Sequence, residues 1–353
     1  MGIVAGSTGD LYLHGLVGGL VLGCMAASRI LLVGNVFGCS GIVKAMLKCK
    51  QAAPFVLFAG MVSGAFIARA AAPSTAVEYI GVPNWALFLM GLVVGVGTYF
   101  ANGCTSGHGI TGTTRLSKRS IVATAVFFVT GLVTATATDS RSWLTANTDW
   151  APMPWVAVAY TSLGAIGCLI VLAILGKNKV LSDKVVVLMV DFVVGAGFSF
   201  GLVISGMNRP TIVLDFLNLR GFSNSEWNGA LACVLGGAIL VCVILYYGYG
   251  IHSHETTFLG EKVSLPSLKG AVDARLVVGS FMFGIGWGLS GICPGPGVTL
   301  LAYTNAVPGL CAYGGIILGQ VVGSAFDRFK TPREKITTAS EDEVPAKNTE
   351  GIP

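Results

Sequence analysis

The sequence predicts an all-α polytopic membrane protein with about nine transmembrane helices and four short broken or re-entrant half-helices, arranged as an inverted-topology internal repeat. Three observations predict this fold class. Hydrophobic residues make up 53% of the 353 residues and charged residues 11%, with a mean hydropathy of +0.75, values outside the range of soluble domains. The apolar residues are gathered into segments long enough to cross a bilayer. Glycine-rich motifs interrupt the chain at the ends of four of these segments.

Nine apolar segments are long enough to span the hydrocarbon core of a membrane. We predict them at residues 11–28, 53–72, 84–101, 120–138, 154–175, 185–204, 228–249, 275–292 and 305–326. The 49 glycines fit this class, because small residues let helices approach closely in lipid. The N-terminus lacks the basic region of a secretory signal, so the first segment is expected to stay in the mature protein.

The distribution of positive charge predicts the orientation of these segments. Of the 22 lysines and arginines, only four fall on the same side as the N-terminus: Arg69, Arg141, Arg209 and Arg220. The other eighteen fall on the opposite side. Because cytoplasmic loops carry the excess of basic residues, the N-terminus is predicted outside and the C-terminus inside.

Four glycine-rich breaks follow apolar segments. Gly95–Cys104 (GVGTYFANGC) and Gly284–Cys293 (GIGWGLSGIC) share G-x-G, six further residues and a cysteine. Gly195–Gly206 (GAGFSFGLVISG) keeps the G-x-G, and Gly34–Gly41 (GNVFGCSG) is a weaker fourth copy. Three glycines within residues 103–109 should prevent a helix there, since each costs about 1 kcal/mol against alanine. A broken backbone in lipid must lie inside the protein or line a wet cavity. A short amphiphilic segment follows each break.

The breaks are arranged as two plus two, which predicts a duplicated unit. Segments one to four form one copy and segments six to nine the other, and the single connecting segment turns the second copy upside down. We predict a first membrane repeat with its connecting helix at residues 1–175, a second, inverted repeat at 185–326, and a disordered polar tail at 327–353. Such repeats are typical of secondary transporters, whose sites lie near the membrane midplane.

The breaks also supply the candidate substrate-binding residues. The N-termini of half-helices present N–H groups and a positive dipole end, which favours an anion. Thiols are soft and only Arg209 adjoins a motif, which favours a sulfur-containing anion over phosphate. No catalytic residue, metal site or cofactor is predicted, and the protein is not expected to be an enzyme. The candidate side chains are Cys39, Cys104, Cys293, Ser40, Thr105, Ser106, Ser205, Met207 and His108, and the backbone loops contribute Gly103, Gly107, Gly206, Gly291 and Gly295.

Two other functions use the same residue types. A membrane-embedded thiol redox or sulfur-relay protein would also place cysteines on broken helices, although the nine cysteines include no CxxC pair. A soft-metal transporter would use Cys and Met ligands, although the nine Met and four His are spread thinly. No basic run interleaved with aromatic residues indicates nucleic acid as a partner.

Three stretches carry a resemblance to a known family. ANGCTSGHGITGTTRLSKRS at 101–120, FGLVISGMNRPTIVLDFL at 200–217 and GWGLSGICPGPG at 286–297 resemble the YeeE/YedE-type sulfur transport family. The resemblance extends over about residues 11–326. It combines in one chain two halves that many bacteria encode as separate short proteins.

This resemblance implies uptake of thiosulfate or a related inorganic sulfur anion through a cysteine-lined path at the repeat interface. Carried over by motif, the path thiols are Cys104, Cys293 and Cys39. An extra apolar stretch near Cys39, ASRILLVGN, makes Cys24 an alternative to it. The implied partners are the sulfur anion, the lipid bilayer and a cytoplasmic sulfur-carrier protein. The implied location is the cell (inner) membrane, with an organelle membrane as the alternative.

Overall fold

The computed structural model describes residues 8–73, 82–144, 151–224, 227–268, 270–303 and 306–330. Within these residues the chain is helical, apart from connections and one isolated antiparallel bridge between Thr256 and Lys262. A π-helix (Thr105–Gly112) lies between the fourth and fifth α-helices. The α-helices in chain order are α1 (Thr8–Val33), α2 (Cys39–Met46), α3 (Ala53–Ala71), α4 (Asn84–Ala101), α5 (Lys118–Thr138), α6 (Trp155–Lys177), α7 (Asp183–Ile204), α8 (Pro210–Leu217), α9 (Gly221–Asn224), α10 (Ala230–Gly248), α11 (Ala274–Ser290), α12 (Pro294–Tyr303) and α13 (Ala306–Lys330).

Nine apolar helical segments within the described residues are long enough to cross a membrane. They are α1, α3, α4, α5, α6, α7, α10, α11 together with α12, and α13. The predicted all-α polytopic fold is therefore confirmed, and the protein is a multi-pass membrane protein. Large apolar or amphipathic side chains remain exposed on its periphery, such as Tyr160 (77%) and Leu163 (67%) on α6. A helix that is apolar on its outward face fits a lipid environment.

Two helices are longer than the sequence predicts. Helix α1 continues to Val33 instead of ending at residue 28, so most of the extra apolar stretch near Cys39 belongs to it. Helix α13 continues to Lys330, so residues 327–330 of the predicted tail are helical. The rest of that tail, 331–353, lies outside the described residues.

Each of the four breaks contains a residue in the left-handed backbone region. These residues are Gly34 (φ 78°), Asn102 (φ 56°), Gly206 (φ 73°) and Gly291 (φ 67°). A left-handed residue is a common way to end a helix, and glycine adopts it without steric cost. The glycine-rich motifs therefore end α1, α4, α7 and α11 where the sequence predicts breaks.

The prediction that residues 103–109 hold no helix is wrong in part. Cys104 is extended, but the π-helix begins at Thr105 and continues to Gly112. Its glycines allow close packing: a Cβ added to Gly112 would lie 2.2 Å from Ser120 Oγ on α5. Tertiary packing here outweighs the poor helix propensity of glycine. Three short helices begin at or directly after a cysteine of a break: α2, the π-helix and α12.

The long helices pack in corresponding pairs. Helix α1 packs on α10 and α7 packs on α3, while α4 packs on α13 and α11 packs on α5. Helices α1 and α7, and likewise α4 and α11, also pack on each other. Small residues permit this closeness, since a Cβ on Gly19 would lie 2.3 Å from the Val234 carbonyl oxygen, and one on Gly195 would lie 2.3 Å from that of Leu57. Each of the four pairs joins one of the first four spanning segments to one of the last four.

The side on which α1 and α4 end and α5 begins is called the basic side below. A segment at residues 254–268, the strap, lies across this side. The N–H of Phe258 donates to the Leu31 carbonyl (3.0 Å), and the N–H of Ser264 donates to the Gly34 carbonyl (2.8 Å). The strap is therefore fixed to the end of α1.

Candidate functional site

Two of the predicted thiols meet where α2 and the π-helix begin. The backbone N–H of Cys39 donates to Ser106 Oγ (3.1 Å), and that of Ser40 donates to Cys104 Sγ (3.5 Å). Cys104 Sγ and Ser106 Oγ lie 3.2 Å apart. The N-terminal ends of two half-helices thus meet through a thiol and a hydroxyl.

The third thiol reaches the same place from the other half of the chain. Cys293 directly precedes α12, and its Sγ lies 3.4 Å from Thr105 Oγ1. A Cβ added to Gly295, on the first turn of α12, would lie 3.1 Å from Cys39 Sγ. Cys39, Cys104, Cys293, Thr105 and Ser106 therefore form one group, called the cysteine cluster below. All three thiols are buried.

Two cavities border the cluster. The cluster cavity has a volume of ≈ 50 Å³ and is mostly apolar; Cys39, Thr105, Ser106, Cys293 and Met207 line it. The basic-side cavity has a volume of ≈ 550 Å³ and a more polar lining. Its wall includes Ser40, Gly103, Gly107 and His108 next to the cluster, and then Arg29, Arg115, Arg119, Asp191 and Lys262. The cysteine cluster therefore has one cavity on the side of Cys39, Thr105, Ser106 and Cys293, and the other beside Ser40 and Gly107.

The alternative thiol Cys24 lies elsewhere. It is half-buried on α1 and lines neither of the two cavities. The neighbouring Gly23 carbonyl accepts from Cys242 Sγ (3.4 Å), which places this part of α1 against α10. Between the two alternatives left open by the sequence, the geometry favours Cys39.

His108 is buried beside the cluster with both ring nitrogens engaged. Nε2 lies 3.1 Å from the Ala101 carbonyl, which can only accept, so Nε2 carries the proton. Nδ1 of the neutral ring then accepts from the Ser120 hydroxyl (3.0 Å). The ring ties the π-helix to the end of α4 and the start of α5, and its predicted contact with substrate stays a prediction.

Ser205 lies apart from the cysteine cluster, and its predicted contact with substrate stays a prediction. Its Oγ donates to the Leu202 carbonyl (3.1 Å), within α7, and its backbone packs against Gly18 of α1. It does not line the cluster cavity, whereas its neighbour Met207 does. The matching offset in the repeat therefore positions a helix end here and does not bring the hydroxyl to the thiols.

The predicted glycines let backbones approach one another. Gly38 and Gly107 bring α2 and the π-helix together, since a Cβ on Gly38 would lie 3.4 Å from the Gly107 Cα. A Cβ on Gly291 would lie 2.4 Å from the Pro210 carbonyl oxygen at the start of α8, and one on Gly103 would lie 2.4 Å from the His108 ring. Gly206 supplies the left-handed turn after α7. These positions shape the site through the backbone alone.

Sequence reasoning missed several buried polar groups near the cluster. Trp287 lines the cluster cavity, and its Nε1–H has no hydrogen-bond partner in the described part of the chain. Within the same residues, the Tyr313 hydroxyl is likewise buried without a partner, and its ring faces α12 at Gly297. Gln320 donates to Thr98 Oγ1 (3.1 Å) and to the Ser40 carbonyl (3.4 Å). An isolated polar or amphipathic residue inside an apolar span is the signal that would have found them.

A buried ion pair lies in the basic-side cavity. Arg29 Nε donates to Asp191 Oδ1 (2.8 Å), and its NH1 donates to the Val36 carbonyl (2.6 Å). Asp191 is fully buried. The pair links α1 to α7, the two helices that correspond in the predicted repeat. Over the same described residues, no three His, Cys, Asp or Glu side chains are close enough to hold a metal ion together.

Comparison with known proteins finds a matching family for each half of the chain. A family model described as sulphur transport matches residues 13–134, and a family described as one of unknown function matches residues 186–335. A probable transporter of Xylella fastidiosa (strain 9a5c) is 41% identical over 132 residues, which cover 35% of this chain and 93% of that protein. A second probable transporter of that strain is 38% identical over 129 residues, which cover 36% of this chain and 83% of that protein. A probable transporter of strain Temecula1 is 41% identical over 132 residues, covering 35% and 93%.

Proposed function

Because the chain belongs to the sulphur transport family, and so is a membrane transporter of sulfur compounds and not an enzyme, we propose that it takes up thiosulfate or a related inorganic sulfur anion. The path runs between the two membrane repeats and is lined by Cys39, Cys104 and Cys293.

The convergence of three thiols from three separate breaks carries this proposal. Cys39 and Cys104 come from the first half of the chain and Cys293 from the second, yet all belong to one cluster between two cavities. Thiols are weak donors and polarisable groups, which suit the terminal sulfur of thiosulfate. Weak contacts also let an ion leave, which conduction through a narrow path requires.

The proposal includes an inverted repeat, at residues 1–175 with the connecting helix and at 185–326. The corresponding helix pairs support it: α1 with α10 against α7 with α3, and α4 with α13 against α11 with α5. The two family matches support it as well, because residues 135–185, which contain α6, lie between them. The repeat places the cluster where broken helices from both halves meet, as in other secondary transporters.

We propose that the protein lies in the cell (inner) membrane. Its N-terminus is then outside, its C-terminus is inside, and the basic side faces the cytoplasm. The charge bias supports this orientation. A cytoplasmic sulfur-carrier protein would then meet the anion at the basic side. The orientation is tested with a cysteine at position 340 (Ser340→Cys), which a membrane-impermeant thiol reagent applied from outside should leave unlabelled; labelling would reverse it.

Uptake of radiolabelled thiosulfate into vesicles that contain the purified protein tests the path. We expect Cys104→Ser and Cys293→Ser each to lower the uptake rate at least tenfold, with Cys39→Ser close behind, because a hydroxyl is a harder and stronger donor. Cys168→Ser is the matched control, since Cys168 is exposed on α6. Loss of uptake in the control with wild-type rates in the two cluster variants would refute the path.

The same vesicles separate transport from thiol redox chemistry. Uptake should continue in excess reductant, because no step of the path forms a disulfide. A requirement for reversible oxidation of the thiols would favour the redox relay instead.

A further inference from the structure

The basic-side cavity contains a buried arginine, Arg115. It is 5% exposed and lines this cavity. Its NH2 donates to the Pro266 carbonyl of the strap, but its Nε–H has no hydrogen-bond partner among the residues that the structure describes. Across the described part of the chain, no carboxylate forms an ion pair with its guanidinium.

The other two arginines of the cavity are compensated. Arg29 pairs with Asp191 at 2.8 Å. Arg119 is more exposed, donates to the Ala271 carbonyl (2.7 Å) and lies 3.4 Å from Asp273 Oδ1. A buried cation is costly unless a negative charge and its own hydrogen-bond acceptors compensate it. Among the described residues, Arg115 has one carbonyl acceptor and no ion-pair partner, so its hydrogen bonds and its charge are incompletely compensated.

We propose that Arg115 binds a small divalent oxyanion in the basic-side cavity, as a second anion site behind the cysteine cluster. A guanidinium is a planar fork of N–H donors that matches two oxygens of such an anion. The unpartnered Nε–H of Arg115 supplies one of the two donors. The other charged side chains that line the cavity are Arg29, Arg119 and Lys262 against Asp191 and Glu261, which leaves the cavity positive once Arg115 is included. Electrostatics and geometry therefore agree on an anion.

The two sites differ in chemistry. The cysteine cluster offers soft S–H groups, whereas Arg115 offers hard N–H donors with a full charge. Thiosulfate has a soft terminal sulfur and hard oxygens, so it can use both in turn. Sulfate has the oxygens alone and should bind only at Arg115. The role of Arg115 as the exit site for transported anion rests on the proposed uptake function, but the binding of an oxyanion there does not.

The position of Arg115 fits a path in which the anion contacts the thiols first and Arg115 second. Ser40 and Gly107 border the cysteine cluster and also line the basic-side cavity, so an anion released by the thiols enters that cavity directly. Arg115 follows the π-helix by three residues and is joined to the strap through Pro266. An anion bound there would be held between the π-helix and the strap.

Sulfate is the probe that isolates this site. Binding of radiolabelled sulfate to the detergent-purified full chain, measured by equilibrium dialysis at fixed low ionic strength, should reveal one site per chain. Arg115→Gln should weaken that binding at least tenfold, and Arg115→Lys should weaken it less, because lysine keeps the charge but lacks the fork. Arg220→Gln is the matched control and should bind sulfate as the wild type does, because Arg220 is exposed and lines neither cavity.

A purely structural tether to the strap predicts a different result. In that case sulfate would leave the thermal unfolding midpoint of the wild type unchanged, whereas an anion site predicts that sulfate raises it and that the rise is absent in Arg115→Gln. Unaltered sulfate binding in Arg115→Gln overturns the proposal. Should that variant fail to fold, Arg115→Lys decides, since full affinity in the lysine variant also overturns it.

Thiosulfate uptake separates this inference from the function on which it partly rests. If the wild type takes up thiosulfate and Arg115→Gln binds sulfate normally, the second site is refuted and the path stands. If the wild type takes up no thiosulfate but binds sulfate through Arg115, the path is refuted and the oxyanion site stands. With both correct, Arg115→Gln should slow uptake several-fold while the external concentration for half-maximal uptake stays unchanged.

Discussion

Gly295→Ala should close the proposed path while all of its cysteines are kept. Gly295 lines the cluster cavity, and its added Cβ would lie 3.1 Å from Cys39 Sγ, 3.6 Å from Leu202 Cδ1 and 3.7 Å from Phe198 Cε1. The first distance is shorter than ordinary van der Waals contact, so the thiol would have to move. The added methyl group would therefore occupy part of this small cavity directly beside the thiol.

The effect on folding should be small and of either sign. Gly295 lies on the first turn of α12 with ordinary backbone angles, so alanine gains up to about 1 kcal/mol of helix propensity, against the cost of the tight contact. We therefore expect an unfolding midpoint near that of the wild type and a thiosulfate uptake rate at least tenfold lower. Loss of uptake with normal stability would then report on the passage alone.

The assay is initial-rate uptake of labelled thiosulfate into vesicles, with the unfolding midpoint of each variant measured in parallel. Gly314→Ala is the matched control, because a Cβ on Gly314 of α13 meets nothing within 4 Å. Wild-type uptake by a stable Gly295→Ala protein would show that the anion does not pass between α12 and Cys39, and the proposed path would fail.

Three further outcomes follow from individual contacts. Trp287→Phe removes the unpartnered Nε1–H of the cluster cavity while keeping an aromatic ring, so uptake should fall several-fold with little change in the unfolding midpoint; equal uptake would exclude Nε1 as a contact for the anion. Gly291→Ala forces a side chain into φ 67° and against a backbone carbonyl, so it should lower the unfolding free energy by about 1 kcal/mol or more, and an unchanged midpoint in a melting experiment would contradict this. Arg29→Gln leaves the buried Asp191 without its cation and should cost about 3 kcal/mol in the same experiment, a prediction that a wild-type midpoint would refute.

The membrane architecture could be predicted from the sequence because it depends on local patterns. Apolar length fixes the spans, and the left-handed residues Gly34, Gly206 and Gly291 occur in motifs that the sequence marks with glycine. The sequence also gives Cys104 and Cys293 matching offsets in the predicted repeat, and the structure brings both residues into the cysteine cluster. These inferences need no knowledge of side-chain direction.

The rest of the site depends on contacts between segments far apart in the chain. The sequence alone does not reveal that the His108 ring is hydrogen-bonded to the Ala101 carbonyl and the Ser120 hydroxyl. Nor does it reveal that the Ser205 hydroxyl donates to a carbonyl of the helix that precedes it. The isolation of Arg115 is similarly invisible, because it depends on the backbone of the strap passing at Pro266. Backbone contacts of an irregular segment leave no periodic pattern to read.

The wide basic-side cavity also determines where the membrane voltage acts. Water and ions in a cavity of ≈ 550 Å³ conduct, so little of the voltage falls across it. On the proposed path, most of the voltage would instead fall across the buried cysteine cluster, which contains Cys104 and Ser106. Moving a divalent anion through 100 mV involves about 4.6 kcal/mol of electrical work. On that path this work is done at the thiols, so we expect the crossing of the cluster to be the step of transport that depends on voltage.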